Sequence, residues 1–385
     1  VAGGRAFPGD PTAARRLLLE VADEAELDLV QARAIEMIHH GHRHFDRVVH
    51  AVGAAEREIC LEMYQIRRDP VGWKVCAALA EAAGRGVKVR LLLDSFGSSA
   101  IARWVPILEG VGAEVRWYSP WRLWNNPFRR THRKLVVIDG RLASVGGINL
   151  AEEFSEVFNG DSAWRDVALW LEGPAAWALR KQFDAAWLAN GGGHGSTLDV
   201  PLGSGELCAL AGPRGTRGRP AAAYLALAEA ARRELVLATP YFLPDRALRA
   251  RLRAAARRGV RVLVVVPRAN DIWWFKHGAR TCFAELLEAG VSVWERFDRM
   301  VHAKVAVADR MVAAVGSTNL NRLSFHHNSE TLLLTTNHTV VDEVRSLIVD
   351  EAGDSSEALT PEEWPSHPDR RRVAELVAGP LASLL

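Results

Sequence analysis

The sequence has few of the residues that would staple it, carry it through a bilayer or charge it heavily. Cysteine occurs four times in 385 residues, as Cys60, Cys76, Cys208 and Cys282, and no C-x-x-C pair is present. Such scattered thiols suggest neither a zinc site nor a disulfide framework, and read as small buried apolar residues in a reducing compartment. No run of about 18 apolar residues occurs, so no transmembrane helix is expected. No secretory leader is visible, although the chain opens Val-Ala-Gly-Gly rather than with Met, so an upstream segment can precede it. Charge of one sign is lacking too: Lys+Arg 48 against Asp+Glu 46 leaves a formal net charge of +2, which does not ask for a nucleic-acid partner. At 49% hydrophobic and 24% charged residues the chain is neither disordered nor collagen-like, and its length sets an expectation of two domains.

What the sequence does hold is a copy of itself. Arg57–Tyr64 echoes Arg233–Pro240, Ala82–Val89 echoes Ala255–Val262, Leu108–Val115 echoes Leu287–Val293, and His132-Arg133-Lys134 echoes His302-Ala303-Lys304. Four matches in one order, at a slowly drifting offset, indicate duplication of a whole domain rather than a solenoid of short repeats. Each copy reads as alternating strands and helices. Ile59–Ile66, Leu235–Phe242, Val87–Leu93 and Val260–Val266 are strand-length apolar runs, whereas Val71–Ala83 and Ala247–Arg258 carry helical periodicity. Continuous Val/Leu runs fit strands buried on both faces, hence a sheet with helices on each side. Gly84 and Gly259 are expected at helix ends that need positive φ. The reading divides the chain into a helical extension (1–44), a first lobe (45–189), a Gly/Pro/Ser-rich linker (190–220) and a second lobe (221–385) with a helical tail near Arg370–Val377.

Both copies carry H-x-K-x4-D-x6-G, as His132, Lys134, Asp139 and Gly146, then His302, Lys304, Asp309 and Gly316. A polar segment follows each, Gly147-Ile148-Asn149 in one and Ser317-Thr318-Asn319 in the other. Alternation along a strand puts His and Lys on one face. One copy supplies an imidazole that can attack or protonate, but not both. Two copies related by a pseudo-two-fold can set two imidazoles on opposite sides of one phosphorus, one attacking and one protonating the leaving alkoxide. The lysines Lys134 and Lys304, with Asn149, Ser317 and Asn319, would then hold the phosphate oxygens.

The paired pattern resembles the phospholipase D superfamily and, within it, the short bacterial cardiolipin synthase type. The resemblance rests on Asn126–Gly140, Gly146-Gly147-Ile148-Asn149, Trp164-Arg165-Asp166-Val167, Leu171–Pro174, Pro240–Pro244 and Leu359–Trp364, and runs from about residue 45 to the end. It implies an α/β fold of two tandem lobes, each a mixed sheet flanked by helices, with the active site at the seam. It implies phosphatidyl transfer through a phosphohistidine, with cardiolipin made from phosphatidylglycerol. The alternatives are a phospholipase D hydrolase, a synthase of another polyglycerol lipid, and, disfavoured by the near-neutral charge, a nuclease. It also implies a catalytic set of His132, Lys134, Asp139, His302, Lys304, Asp309, Asp166 and Glu330, with no metal and no cofactor. Within that set Asp139 and Asp309 take structural roles. Asp166, 34 residues after His132, is the first acid to back an imidazole, and Glu330, 28 after His302, is the second. His132 is the expected nucleophile, with Arg133 beside it disfavouring its protonated form. The partners implied are a phosphatidylglycerol-like donor and an alcohol or phospholipid acceptor, met peripherally at the cytoplasmic face of a membrane.

Three other features invite function. His39-His40-Gly41-His42-Arg43-His44 looks like a metal tract, but its spacing matches no defined site and it reads as a solvated helix end. Trp117, Tyr118, Trp121, Trp124 and Phe128, and Trp273, Trp274 and Phe275 in the second copy, suit membrane-contacting loops near the catalytic strands. The Arg246–Arg261 series reads as a solvated helix face that can also meet anionic lipid.

Overall fold

The Val/Leu runs are too apolar to face water on either side, and each lies in a sheet covered by helices. The computed structural model describes residues 10–118, 129–193, 204–212, 218–272 and 278–361. The first sheet has seven strands in the order β2 (Ala34–Ile38), β8 (Ala168–Glu172), β7 (Leu142–Gly146), β6 (Lys134–Ile138), β3 (Glu58–Met63), β4 (Lys88–Asp94) and β5 (Glu114–Tyr118). The second repeats that order as β9 (Glu206–Ala211), β15 (Leu332–Thr335), β14 (Val312–Gly316), β13 (Val305–Ala308), β10 (Glu234–Ala238), β11 (Arg261–Pro267) and β12 (Ser292–Arg296). It adds β1 (Asp28–Ala32) outside β9 and β16 (Ser356–Leu359) outside β12. In each sheet the three strands of the βαβαβ half run parallel and the others antiparallel.

Seven helices of twelve residues or more are described. We number them α1 (Pro11–Glu24), α2 (Gly41–Gly53), α3 (Pro70–Gly84), α4 (Pro174–Ala189), α5 (Arg219–Ala230), α6 (Arg246–Arg257) and α7 (His338–Glu351). α2 and α3 cover the outer face of the first sheet through Phe45, Val48, Val75 and Leu79. α1, α5 and α6 cover the outer face of the second through Leu18, Val21, Leu227 and Leu252. α4 and α7 lie between the sheets, where Phe183, Trp187, Val344 and Ile348 join both inner faces in one apolar core. Proline in the first turn and an Asp cap start α1 and α3, since Asp10 accepts from Thr12 N and Asp69 from Gly72 N.

Several sequence expectations need correction. Residues 1–44 are not a purely helical extension: β1 completes the edge of the second sheet and β2 the edge of the first, with only Arg33 between them. The stretch 190–220 is not only a linker, because β9 pairs with β15 inside the second sheet. β2 and β9 occupy equivalent places, so the repeating unit is one strand longer at its start than the sequence echoes reveal. The positive φ after α3 falls on Gly86, at +87°, and not on Gly84; Gly86 is the counterpart of Gly259, also at +87°. The tail with Arg370–Val377 lies outside the described residues.

The two motif aspartates stand at hairpin turns, far from the histidines. Asp139 follows β6 and Asp309 follows β13, at φ of 51° and 52°, a left-handed conformation that Asp tolerates through its short polar side chain. Asp139 accepts from the backbone N–H of Glu56, Arg57 and Glu58 at 3.0, 2.8 and 2.8 Å. Asp309 accepts in the same way from Arg232, Arg233 and Glu234 at 2.9, 2.7 and 2.9 Å. A five-residue strand, about 16 Å long, separates Asp139 from the start of β6. The carboxylate therefore ties the start of β3 to the β6–β7 turn and is placed to contact no substrate. Asp139→Ala should lower stability by about 3 kcal/mol, as three N–H groups lose a charged acceptor. Urea unfolding reads this directly, and turnover per folded molecule should stay near wild type.

Candidate active site

The catalytic strands meet where the lobes exchange short segments. The backbone before His132 pairs with the second lobe: His132 N donates to Ser329 O at 2.9 Å and Ser329 N to Arg130 O at 2.8 Å. The backbone before His302 pairs with the first lobe: His302 N donates to Arg165 O at 2.7 Å and Arg165 N to Met300 O at 2.9 Å. Each lobe thereby places an acid behind the other lobe's imidazole. His132 Nδ1 stands 3.1 Å from Glu330 Oε2, and His302 Nδ1 stands 2.5 Å from Asp166 Oδ2. The expectation that Asp166 backs the first histidine and Glu330 the second is thus corrected to a crossed pairing. Its cause is the two parallel bridges, Thr131 to Ser329 and Arg165 to Val301, each one residue ahead of the acid or the histidine.

The tautomer of His132 follows from its neighbours. Nδ1 also lies 2.9 Å from the carbonyl oxygen of Ser317, a group that only accepts. Nδ1 therefore carries the proton and Nε2 keeps its lone pair. The lysines lie almost wholly buried beside the histidines. Lys134 Nζ donates to His132 O at 2.7 Å, and Lys304 Nζ reaches Asp166 Oδ2 at 3.2 Å. Burial, and then the charge of Lys304, holds the Lys134 ammonium well below the usual lysine range, and burial also lowers Lys304. Burial and the Lys304 charge push His302 down to about 3, and burial lowers His132 against the pull of Glu330. Burial works against both carboxylates, yet Lys304 and His302 hold Asp166 below its ordinary value, and His132 does the same for Glu330. Two cations forced together in a dry seam favour an anion between them. Asn149 and Asn319 complete the lining. Both are buried, and one terminal amide atom of each has no protein partner.

Two expectations about single residues change. Arg133 does not act on His132: it points to the opposite side of the strand, is fully buried and binds Glu62 at 2.7 Å and Thr331 Oγ1 at 2.8 Å. The Ser317 hydroxyl does not point to phosphate as a donor but to Glu330 Oε2, at 2.5 Å. Its counterpart is glycine for a steric reason: a Cβ on Gly147 would lie 2.2 Å from Asp166 Oδ1.

Aromatic rings that the sequence reading passed over frame the histidines. Tyr64 stands 5.0 Å from His132, centre to centre, while Phe154, Trp164 and Tyr241 stand 5.1, 5.2 and 6.1 Å from His302. The signal was present, since Tyr64 and Tyr241 fall one position apart in the repeat alignment. The His39–His44 tract is not a solvated helix end. His40 and His42 share Glu156 at 3.0 and 2.9 Å, His44 is buried, and Gly41 packs on the Phe154 backbone, so the tract anchors α2 to the loop beside His302. Among the described residues no group of three or more His, Cys, Asp or Glu could hold a metal ion. Tyr118 is buried and Trp117 packs against the first-lobe core; Trp121, Trp124, Phe128, Trp273, Trp274 and Phe275 lie outside the described residues. On α6, Arg249 and Arg253 pair with Glu285 and Arg251 with Glu229, so three of the helix's five arginines are held in ion pairs.

The family described as "Cardiolipin synthase, PLD-like domain" matches residues 48–187 and 224–349, one segment per lobe. Cardiolipin synthase B of Salmonella typhi is 35% identical over 349 residues, covering 86% of this chain and 84% of its own. The chain belongs to the cardiolipin synthase, PLD-like family. A cardiolipin synthase of Geobacillus sp. is 32% identical over 392 residues, covering 96% of this chain and 76% of its own. The crystal structure of phosphatidylserine synthase from Haemophilus influenzae Rd KW20 aligns with a TM-score of 0.68 over 97% of both chains, at 15% identity, which shows the shared two-lobed fold. As a member of this PLD-like family the chain is an enzyme.

Gly147→Ala should therefore push Asp166 off His302 and cut turnover about a hundredfold or more, with the fold retained by circular dichroism. The buried imidazoles also set an acid limit on stability. His44, held down to about 4 by burial, and His302, at about 3, stay neutral in the folded chain while the unfolded chain protonates near 6.5. Stability present above pH 6.5 is thus lost as pH falls toward 4, at about 1.4 kcal/mol per unit for each group. Urea unfolding between pH 7 and 4.5 should show the fall, and His44→Gln should make it shallower.

Proposed function

We propose that this chain is a phosphatidyltransferase that makes cardiolipin from phosphatidylglycerol through a phosphohistidine on His132. The observation that carries the reading is the pair of H-x-K segments facing each other across the seam, each histidine backed by the other lobe's acid. The donor's phosphodiester lies between Lys134 and Lys304, with Asn149 and Asn319 as further donors. His132 Nε2 attacks phosphorus and the P–O bond to the glycerol head breaks as His302 gives that oxygen its proton. A second phosphatidylglycerol then brings a hydroxyl, whose proton goes to His302 as its oxygen takes the phosphatidyl group and the P–N bond breaks. Water in that place would give hydrolysis, so the apolar rings around His302 favour transfer by limiting water. The bound phosphodiester anion offsets the Lys304 charge and so raises His302 toward the protonated form that the first step needs.

Exposed apolar groups at the mouth support contact with a membrane. Phe96, 67% exposed, follows β4 and carries Arg130 over its ring at 5.2 Å; Val157 and Phe158, 71% and 52% exposed, follow Phe154 on the His302 side. Among the described residues no helix is long and apolar enough to cross a membrane, so the contact is peripheral in this reading. The four free, buried cysteines suit its cytoplasmic face, where thiols stay reduced.

The two histidines are tested with a phosphatidyl ester of p-nitrophenol, a leaving group that needs no proton. His302→Ala should still form a phosphatidyl adduct at His132, slowly resolved, whereas His132→Ala should form none. The crossed pairing makes Glu330→Gln impair adduct formation and Asp166→Asn mainly its resolution, each lowering turnover on phosphatidylglycerol by about two to four orders of magnitude. An adduct mapped to residue 302 of the intact enzyme reverses the assignment, and no adduct at either histidine removes the covalent route. Turnover should also withstand EDTA, since lysine and asparagine supply the charge and the donors.

A further inference from the structure

Tyr241 and Asp271 form a polar group at the His302 side of the seam that the transfer steps leave unused. The Tyr241 hydroxyl donates to Asp271 Oδ1 at 2.8 Å, and the Tyr241 ring meets the His302 ring edge-on, 6.1 Å between centres. Tyr241 is buried, whereas Asp271 is exposed, so part of its carboxylate is open to solvent. Its loop is fixed: Asn270 Nδ2 donates to Pro240 O at 2.8 Å, and Asn270 Oδ1 accepts from Ile272 N at 2.9 Å. One ring, that of Tyr241, thus links this carboxylate to His302.

A carboxylate there repels a phosphodiester and so is no part of the phosphate cradle. What it complements is a neutral donor. An ionised carboxylate has about four acceptor positions, and the phenol uses one. The first lobe offers no such group at the end of β4. Its Asp94 is buried and spent on the N–H of Phe96, Gly97 and Thr131 at 3.0, 3.0 and 3.1 Å. The exposed carboxylate thus marks one side of the seam, and it is the side of the histidine that handles the alcohol's proton.

We propose that Asp271, held by Tyr241, is the acceptor subsite and takes a vicinal diol, accepting a hydrogen bond from the hydroxyl next to the attacking one. The inference rests on the proposed role of His302 in deprotonating the acceptor. In the transfer step the attacking O–H gives its proton to His302, the new P–O bond forms and the P–N bond to His132 breaks. The neighbouring hydroxyl stays intact and donates to Asp271. A 1,2-diol such as a glycerol head is thereby bound in register, while a simple alcohol or water lacks the second contact.

The test is a competition. Wild-type enzyme and Asp271→Ala are given phosphatidylglycerol vesicles with glycerol replaced as added acceptor by equal concentrations of deuterated glycerol and 1-propanol, and the two phosphatidyl products are quantified by mass. Loss of one hydrogen bond to a charged group should lower the glycerol-to-propanol product ratio about tenfold or more in Asp271→Ala. Tyr241→Phe, which keeps the ring and removes the donor that holds Asp271, should lower the ratio in the same direction and serves if Asp271→Ala fails to fold. A ratio equal to wild type in whichever variant folds overturns the subsite. Wild-type enzyme that makes cardiolipin from the vesicles but transfers to neither alcohol also overturns the subsite, whereas wild-type enzyme that makes none of the three products overturns the transferase reading itself; the two failures are therefore distinguishable.

Discussion

Everything at the seam depends on a reciprocal exchange, in which each lobe supplies the acid for the other lobe's histidine. Glu330 reaches His132 and Asp166 reaches His302 because the segment carrying each acid pairs by backbone with the segment leading into the opposite histidine. Neither lobe holds a complete imidazole–carboxylate pair by itself. Separation or rotation of the lobes would break both pairs together, so the shared core between the sheets, built on α4 and α7, also fixes the chemistry. Duplication thus supplied more than a second histidine. It supplied a partner whose equivalent edge could complete the first.

The same seam concentrates charge that burial opposes. Two ammonium groups, two imidazoles and two carboxylates share a region nearly closed to solvent. The carboxylates stay ionised because the cations face them, while burial depresses both lysines and the Lys304 charge depresses Lys134 further. Opposite charges do not fully cancel this, since both carboxylates are already engaged by imidazoles. An arriving anion is the missing partner, and its affinity comes from relieving a repulsion that the fold has already imposed.

Much of this was legible in the chain. The H-x-K pairs, the duplication and the βαβαβ halves follow from spacing and apolar runs, because strands buried on both faces leave an unbroken Val/Leu signature. The crossed acids were not legible. A separation of 34 or 28 residues along the chain says that an acid is near the seam, not which lobe's histidine it faces. The first strand of each repeat was missed for a local reason. Ala34–Ile38 and Glu206–Ala211 are short, contain alanine and carry a Glu, and their strand character comes from the edge they join. Arg133 misled because adjacency in sequence is opposition in a strand: residue i+1 faces away, here into a buried ion pair with Glu62.

The pair β1 and β2 has a consequence for how the chain is made. These two strands, joined through Arg33, are synthesised before any strand they pair with. β2 must wait for β8, and β1 for β9, more than a hundred residues later. At about 5–20 residues per second, that is a delay of roughly seven seconds or more during which an early segment has bare strand edges. When it docks, it adds an edge strand to each sheet. A segment made early is therefore among the last to settle, and its arrival fastens the two lobes to each other.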